Sequence, residues 1–78
     1  MRNLPTEDTV TIPMTRAEAL VLVEWLTSFA QRGNAPTNAQ AELVVLWRIQ
    51  AHLEHVLHEL NDPEYDKLVA EARNQVCR

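Results

Sequence analysis

All three histidines of the chain lie within the nine residues HLEHVLHEL, as His52, His55 and His58. Histidine is a frequent ligand of transition metals, and its charge changes near neutral pH. On a helix, the spacing i, i+3, i+6 rotates each imidazole by about 60° from the previous one and separates the outer two by about 9 Å along the axis. One helix therefore brings at most two of these imidazoles to one metal ion.

Acidic neighbours extend the set of possible ligands. The candidates are His52, His55, His58, Glu54 and Glu59. Glu54 and Glu59 each lie four residues from a histidine, which places each pair on one helical face. The chain has no other histidine, and its single cysteine, Cys77, is next to the C-terminus. A metal site here would need ligands from a second subunit. Otherwise these side chains are solvated, and they acquire a proton-linked role only at an interface.

Side chains for catalysis are scarce. Ser28 is the only serine and Gly33 the only glycine, so the sequence has no glycine-rich loop to hold phosphate and no positioned nucleophile. Glu42 is the best candidate for a partly buried carboxylate. It could act as a general base, but we favour a residue that stabilises the helix start and is hydrogen-bonded to the preceding loop. We expect no enzymatic activity and no cofactor.

Charge and hydropathy exclude further classes of function. Eleven acidic residues against seven basic ones give a net charge of −4, and the basic residues are scattered along the chain. Nucleic-acid binding requires a basic face. No segment has the apolar core of a signal peptide or the length of a membrane span. The sequence therefore predicts a cytoplasmic protein that binds neither nucleic acid nor membrane.

The pattern of apolar residues predicts an all-α domain that positions these side chains. Helices are expected over about residues 15–31, 38–60 and 63–76. Because short loops join antiparallel neighbours, the first two should form a long hairpin onto which the third folds back. Residues 1–14 are predicted to be an extended arm. Within it, Thr9-Val10-Thr11-Ile12 has the alternation of a short β-strand, which would lie against the helices or pair with another chain.

Local signals define the helix ends. Thr15-Arg16-Ala17-Glu18 and Thr37-Asn38-Ala39-Gln40 both have the form of a capping box. Asp62 before Pro63 predicts the N-cap of the third helix, and Gly33 suits the C-terminal cap of the first.

Each predicted helix has a core stripe. In the first helix it comprises Ala19, Leu22, Val23, Leu26, Phe29 and Ala30. In the second it comprises Val45 or Leu46, Ile49, Leu53, Val56 or Leu57, and Leu60. In the third it comprises Tyr65, Leu68, Val69, Ala72 and Val76. The third helix offers one narrow stripe, so a monomer cannot cover the apolar residues that remain.

This surplus predicts an interface. Its members are Leu20, Val21, Trp25, Leu43, Val44, Trp47 and Ala51. Tryptophan is enriched in interface hot spots, and large exposed apolar patches mark association sites. A chain of 78 residues without a disulfide has a narrow stability margin, which favours a second subunit. We expect a homodimer or a docking surface for another protein. The alternative is that Trp25 and Trp47 pack together inside the hairpin.

The segments TIPMTRAEALVLVEWL, AELVVLWRIQAHLEHVL and DPEYDKLVAEAR resemble a group of small uncharacterised bacterial all-helical proteins. The resemblance covers about residues 10–73 and implies no catalytic or binding residue. The residues themselves predict a non-enzymatic, homodimeric interaction module. Two alternatives are a metal- or pH-responsive regulator that uses the His52, His55 and His58 face, and a small acidic inhibitor or antitoxin-like partner of another protein.

Overall fold

The computed structural model describes residues 9–33 and 37–78, and the side chain of Ala30 lies outside this description. Within these ranges the secondary structure is entirely helical, which confirms the all-α prediction. The helices are α1 (Arg16–Arg32), α2 (Gln40–Val56), a 3-10 turn (His58–Asn61) and α3 (Tyr65–Val76). Residues 9–15, called the arm below, form neither helix nor strand. The strand predicted at residues 9–12 is therefore absent, and residues 1–8 of the predicted extended segment lie outside the described residues.

Helix α1 begins at the predicted capping box. The backbone N–H of Thr15 donates to Oε1 of Glu18 (2.9 Å), and the backbone N–H of Glu18 donates to Oγ1 of Thr15 (3.1 Å). Hydrogen bonding by Thr15, chiefly through its backbone N–H, also lowers the pKa of Glu18, because it favours the carboxylate form. The helix ends before Gly33, whose φ of 70° is accessible to glycine at little cost. Both predicted ends of α1 are confirmed to within one residue.

Helix α2 begins differently from the prediction. Its N-cap is Ala39, which offers no side-chain cap, so the capping box predicted at Thr37-Asn38-Ala39-Gln40 does not form. The physical reason is the register: Gln40 is the first helical residue and not the third. Thr37 instead accepts the backbone N–H of Ala39 (3.1 Å) and donates its hydroxyl to Oε2 of Glu42 (2.5 Å).

The end of α2 is the largest departure from the predicted boundaries. The sequence pattern predicted one helix to about residue 60, whereas α2 ends at Val56. Leu57 is extended, with φ −100° and ψ 99°, and the 3-10 turn follows it. Leu57 is 3% exposed, and Leu60 packs against the same core. The break therefore keeps both leucines on the core while it changes the direction of the chain.

The prediction of Asp62 as the N-cap of the third helix is wrong, because the regular helix starts later and its N-cap is Glu64; Asp62 instead stabilises the turn before α3. Its Oδ1 accepts the backbone N–H of Glu64 (2.8 Å), and its carbonyl accepts that of Tyr65 (3.1 Å). The regular α-helix begins at Tyr65, two residues later than expected, a difference that is common at helix ends.

The core is small and lies around α1. Its buried members are Ala19, Leu20, Val23, Leu26, Leu53, Leu57, Val69 and Ala72. Two predicted core residues, Ile49 (38%) and Val76 (45%), are exposed instead, and of the alternatives Val56 or Leu57 it is Leu57 that is buried while Val56 is 48% exposed. In the described part of the chain, α3 packs on α1 and on the 3-10 turn but not on α2. One side of the predicted α1–α2 hairpin is therefore left uncovered.

Candidate interaction surface

The three histidines do not converge. His52 and His55 are exposed on α2, and His58 lies in the 3-10 turn with 85% of its side chain exposed. The extended Leu57 removes His58 from the helical repeat that the sequence suggested. Across residues 9–33 and 37–78, no group of three or more histidine, cysteine, aspartate or glutamate side chains is arranged to hold a metal ion.

The two glutamates of the candidate ligand set have other partners. Glu59 accepts two bonds from Arg16, with Nε to Oε2 at 2.7 Å and Nη2 to Oε1 at 2.5 Å. These bonds lower the pKa of the Glu59 carboxyl to about 2. Glu54 accepts a hydrogen bond from Nε2 of Gln50 (3.3 Å). Glu59 therefore connects the start of α1 to the turn after α2, which is a structural role.

Glu24 lies on the side of α1 on which α3 packs. It is half-buried and accepts the phenol hydroxyl of Tyr65 at 2.6 Å. Burial and the Glu24 carboxylate raise the pKa of Tyr65 well above its ordinary value of 10. The bond holds α3 against α1. The residues are 41 positions apart, so no local spacing could have indicated it.

Glu42 has the environment that we favoured. It is exposed in the first turn of α2 and is hydrogen-bonded to Thr37 of the preceding loop. The side chain stabilises the start of the helix, and nothing around it resembles the buried environment of a general base.

The uncovered side of the hairpin carries a continuous apolar face. Val45, Ile49, His52 and Val56 lie at i, i+4, i+7 and i+11 on α2, which aligns them on one helical face. Trp25 of α1 lies beside them. We call these five residues the open face. Its apolar members are between 38% and 55% exposed.

Two concavities lie along the open face. The first, called the recess, has a volume of about 470 Å³ and is lined by Trp25, Thr37, Ala41, Glu42, Val45 and Leu46. The second, called the groove, has a volume of about 690 Å³ and runs between α2 and the arm. Ile49, His52, Val56 and Leu22 contribute to its walls, and its charged lining residues are Arg16 and Arg48.

The surface predicted from the sequence coincides only in part with the open face. Leu20 is 5% exposed because it belongs to the core that α3 helps to cover, so its assignment to an exposed surface is wrong. Val21, Leu43 and Val44 are partly buried, whereas Ala51 is exposed.

The two tryptophans lie on different surfaces. Trp25 is 46% exposed, lines the recess and packs edge-on against Phe29, with ring centroids 4.7 Å apart. Trp47 is 56% exposed and lines neither concavity. Two helical positions separate Trp47 from Val45 by about 200°, which directs it away from the open face.

Sequence reasoning missed most of the open face because it assigned Ile49 to the core and allowed Val45 and Val56 there as alternatives to Leu46 and Leu57. The first half of α2 is apolar around most of its circumference, so periodicity alone does not determine which arc faces α1. Two pairs of alternatives were left open, Val45 or Leu46 and Val56 or Leu57. In each pair the valine belongs to the open face and the leucine is less exposed.

Comparisons with known proteins offer no direct guide to the role of this surface. No protein-family model matches the chain, and no curated protein or solved structure is significantly similar to it. Among the described residues, every helix is too short or too polar to cross a membrane.

Proposed function

We propose that the protein is a non-enzymatic helical interaction module that forms a homodimer through the open face. The observation that carries this proposal is the exposure of Trp25, Val45, Ile49 and Val56 on the side of the hairpin that α3 leaves uncovered. The free energy falls when a second protein surface removes exposed apolar surface of this kind from water.

The size of the surface suits a dimer. Met14 and Ile12, which are 42% and 72% exposed, adjoin the apolar residues of the open face. If a whole residue offers on the order of 150–250 Å², the exposed fractions of these residues give roughly 500 Å² of apolar accessible surface. A standard interface buries about 800 Å² per partner, of which about 65% is apolar in homodimers. The apolar requirement of about 500 Å² is therefore met without the surface around Trp47.

The small core gives a thermodynamic reason for two subunits to associate. Eight buried hydrophobic residues are found in the described ranges, and all eight are valine, alanine or leucine. A single cysteine excludes an intrachain disulfide. Small domains with a limited core commonly obtain stability from a second subunit, because association buries further apolar surface.

Two matched substitutions test this proposal. Trp25→Asp and Trp47→Asp remove the same side chain, at 46% and 56% exposure, from opposite flanks of the hairpin. We expect the wild-type chain to be dimeric by sedimentation velocity and light scattering between about 1 and 500 µM. Trp25→Asp should be monomeric over that range, and Trp47→Asp should remain a dimer.

Two outcomes would contradict the proposal. One is a wild-type monomer at every concentration, and the other is a dimer that only Trp47→Asp dissociates. Circular dichroism of both variants establishes that each retains its helices, so that loss of the dimer is not a consequence of unfolding.

The position of His52 supports one alternative, a proton-linked regulator, as a property of this dimer. His52 lines the groove together with Arg16 and Arg48. A positive charge on His52 would add to those of the arginines on a surface that association desolvates.

Dimerisation should therefore weaken when the pH of the sample is lowered from about 7.5 to 5.5, and His52→Gln should remove this dependence. A pH-independent dimer would rule the alternative out.

Metal binding stays a prediction, tested by adding zinc or nickel to wild-type and His55→Ala protein while the melting temperature is followed. The role of an inhibitor or antitoxin-like partner also stays a prediction.

A further inference from the structure

We infer that the second copy binds in an antiparallel, two-fold arrangement in which Val10 and Ile12 of each arm enter the recess of the other protomer. This inference rests on the homodimer proposed above and adds its geometry. It assigns a binding function to the arm and to the recess: the arm joins α1 at the end of the hairpin away from the recess, and the recess and the groove beside the arm lie on the same side.

The arm projects apolar side chains. Val10 is 89% exposed and Ile12 is 72% exposed, the two highest values among the large hydrophobic residues described. Both belong to the wall of the groove, so the arm lies along the hairpin and yet leaves these side chains in water. Val10 and Ile12 are two residues apart and both exposed, so together they give the arm an apolar surface that is available to a partner.

The recess lies toward the other end of the hairpin. Trp25 is nine residues beyond Arg16, where the arm joins α1, which is about 14 Å along the helix. On α2, Ala41 lies fifteen residues before Val56, which is about 22 Å. Because the bonds from Arg16 to Glu59 and from Gln50 to Thr27 place the two helices antiparallel, both distances run in the same direction along the hairpin.

A projection at one end and a recess at the other define a self-complementary surface. In a two-fold interface, residue i of one protomer contacts residue j of its partner, and j contacts i. When two hairpins face each other in opposite directions, each arm lies opposite the partner's recess, and the Ile49 and His52 regions meet near the axis. A parallel arrangement would place arm against arm and leave both recesses exposed.

The charges are compatible with this arrangement in spite of the net charge of −4 on each chain. Glu42 is the only charged residue among those that line the recess. Residues 9–15 are threonine, valine, isoleucine, proline and methionine, so the inserted side chains of Val10 and Ile12 themselves carry no charge against Glu42. The acidic residues of α3 are on the helix that packs on the other side of α1 from the open face.

Disulfide cross-linking tests this geometry. In a Cys77→Ser background, one protein carries Ile12→Cys and a second protein, distinguished by a mass tag, carries Ala41→Cys. The exposed Ala70→Cys on α3 replaces Ala41→Cys in the matched control. Under mild oxidation we expect the Ile12→Cys and Ala41→Cys mixture to form the mixed dimer at least about tenfold faster than the control mixture, since proximity raises the effective concentration of the thiols.

Light scattering on the same samples separates the possible failures. If the proteins are dimeric but the Ala41→Cys mixture reacts no faster than the Ala70→Cys mixture, the arm-to-recess arrangement is wrong while the homodimer stands. If the proteins are monomeric, the homodimer and this geometry both fail.

A second pair of variants tests the contribution of the arm to affinity. Ile12→Asp should raise the dimer dissociation constant at least about tenfold, because a carboxylate would enter an apolar recess that already contains Glu42. Thr9→Asp adds the same charge to the exposed start of the arm and should change it much less. Equal effects of the two variants would overturn the role of Ile12.

Discussion

Glu59→Gln removes the charge from the contact that closes the α1–α2 hairpin. Glu59 accepts bonds from Nε and Nη2 of Arg16, and only 13% of its side chain is exposed. Glutamine has nearly the same shape but carries no charge and has one oxygen in place of two. The substitution therefore tests the charged, two-bond contact without emptying the space that the side chain fills.

The pKa of Glu59 sets the scale of the effect. A carboxyl whose pKa falls from 4.5 to about 2 would contribute about 3 kcal/mol as an upper limit, since a tenfold change in proton affinity is worth about 1.4 kcal/mol. The Arg16 side chain is 55% exposed, so water screens the interaction. We therefore expect Glu59→Gln to reduce the free energy of unfolding by about 1 kcal/mol at neutral pH.

The dependence on pH has a definite sign. Because the pKa is lower in the folded than in the unfolded chain, the stabilisation is fully present above about pH 4.5 and is lost as the pH falls toward about 2. The stability difference between wild type and Glu59→Gln should accordingly be constant near neutral pH and should shrink through this acidic window.

Urea denaturation followed by circular dichroism, at one protein concentration and at a series of pH values, measures this difference. Glu64→Gln is the control, since Glu64 lies 3.8 Å from Lys67 with both side chains largely exposed, and it should change stability by less than about 0.5 kcal/mol. Equal stabilities of Glu59→Gln and Glu64→Gln, or a difference from wild type that does not change between pH 4.5 and 2, would refute this account of the contact.

Two further substitutions test the contacts that fix α1. Tyr65→Phe removes the hydroxyl that donates to Glu24 and should lower the free energy of unfolding by about 1 kcal/mol in urea denaturation. In wild type, the chain's only tyrosine should ionise above its ordinary pKa of 10 in a spectrophotometric titration. Ionisation at the ordinary value in folded protein would contradict the hydrogen bond to Glu24. Thr15→Ala removes one side of the capping box with Glu18 and should also cost about 1 kcal/mol. Thr9→Ala, outside any helix, is its control, and equal effects on the thermal midpoint would contradict the cap.

Short-range signals predicted the helices well where the partners are close in sequence. Thr15 and Glu18 are three residues apart, so the sequence alone contains both members of the cap, and Gly33 and Asp62 act within a few residues of their own positions. The end of α2 was mispredicted because Leu53, Leu57 and Leu60 fit a helical repeat, which conceals the extended conformation of Leu57.

The surface was harder to predict because its position depends on packing between helices. Leu20 and Val45 are both apolar residues outside a single narrow stripe, yet one is 5% exposed and the other 55%. Their difference arises from α3, which packs on the side of α1 that includes Leu20 and makes no contact with α2 in the part of the chain that the structure describes.

The sequence by itself determined the all-α class, the approximate helix bounds and the presence of more apolar surface than a three-helix monomer can cover. Helix formation and capping depend on neighbours within about four residues, which the order of residues specifies directly. Only the tertiary structure decided which surface stays exposed. It also decided that Glu59 forms an ion pair with Arg16, and that Tyr65 donates a hydrogen bond to Glu24. These contacts join residues about 40 positions apart, and helical periodicity carries no information about which face of one helix meets another.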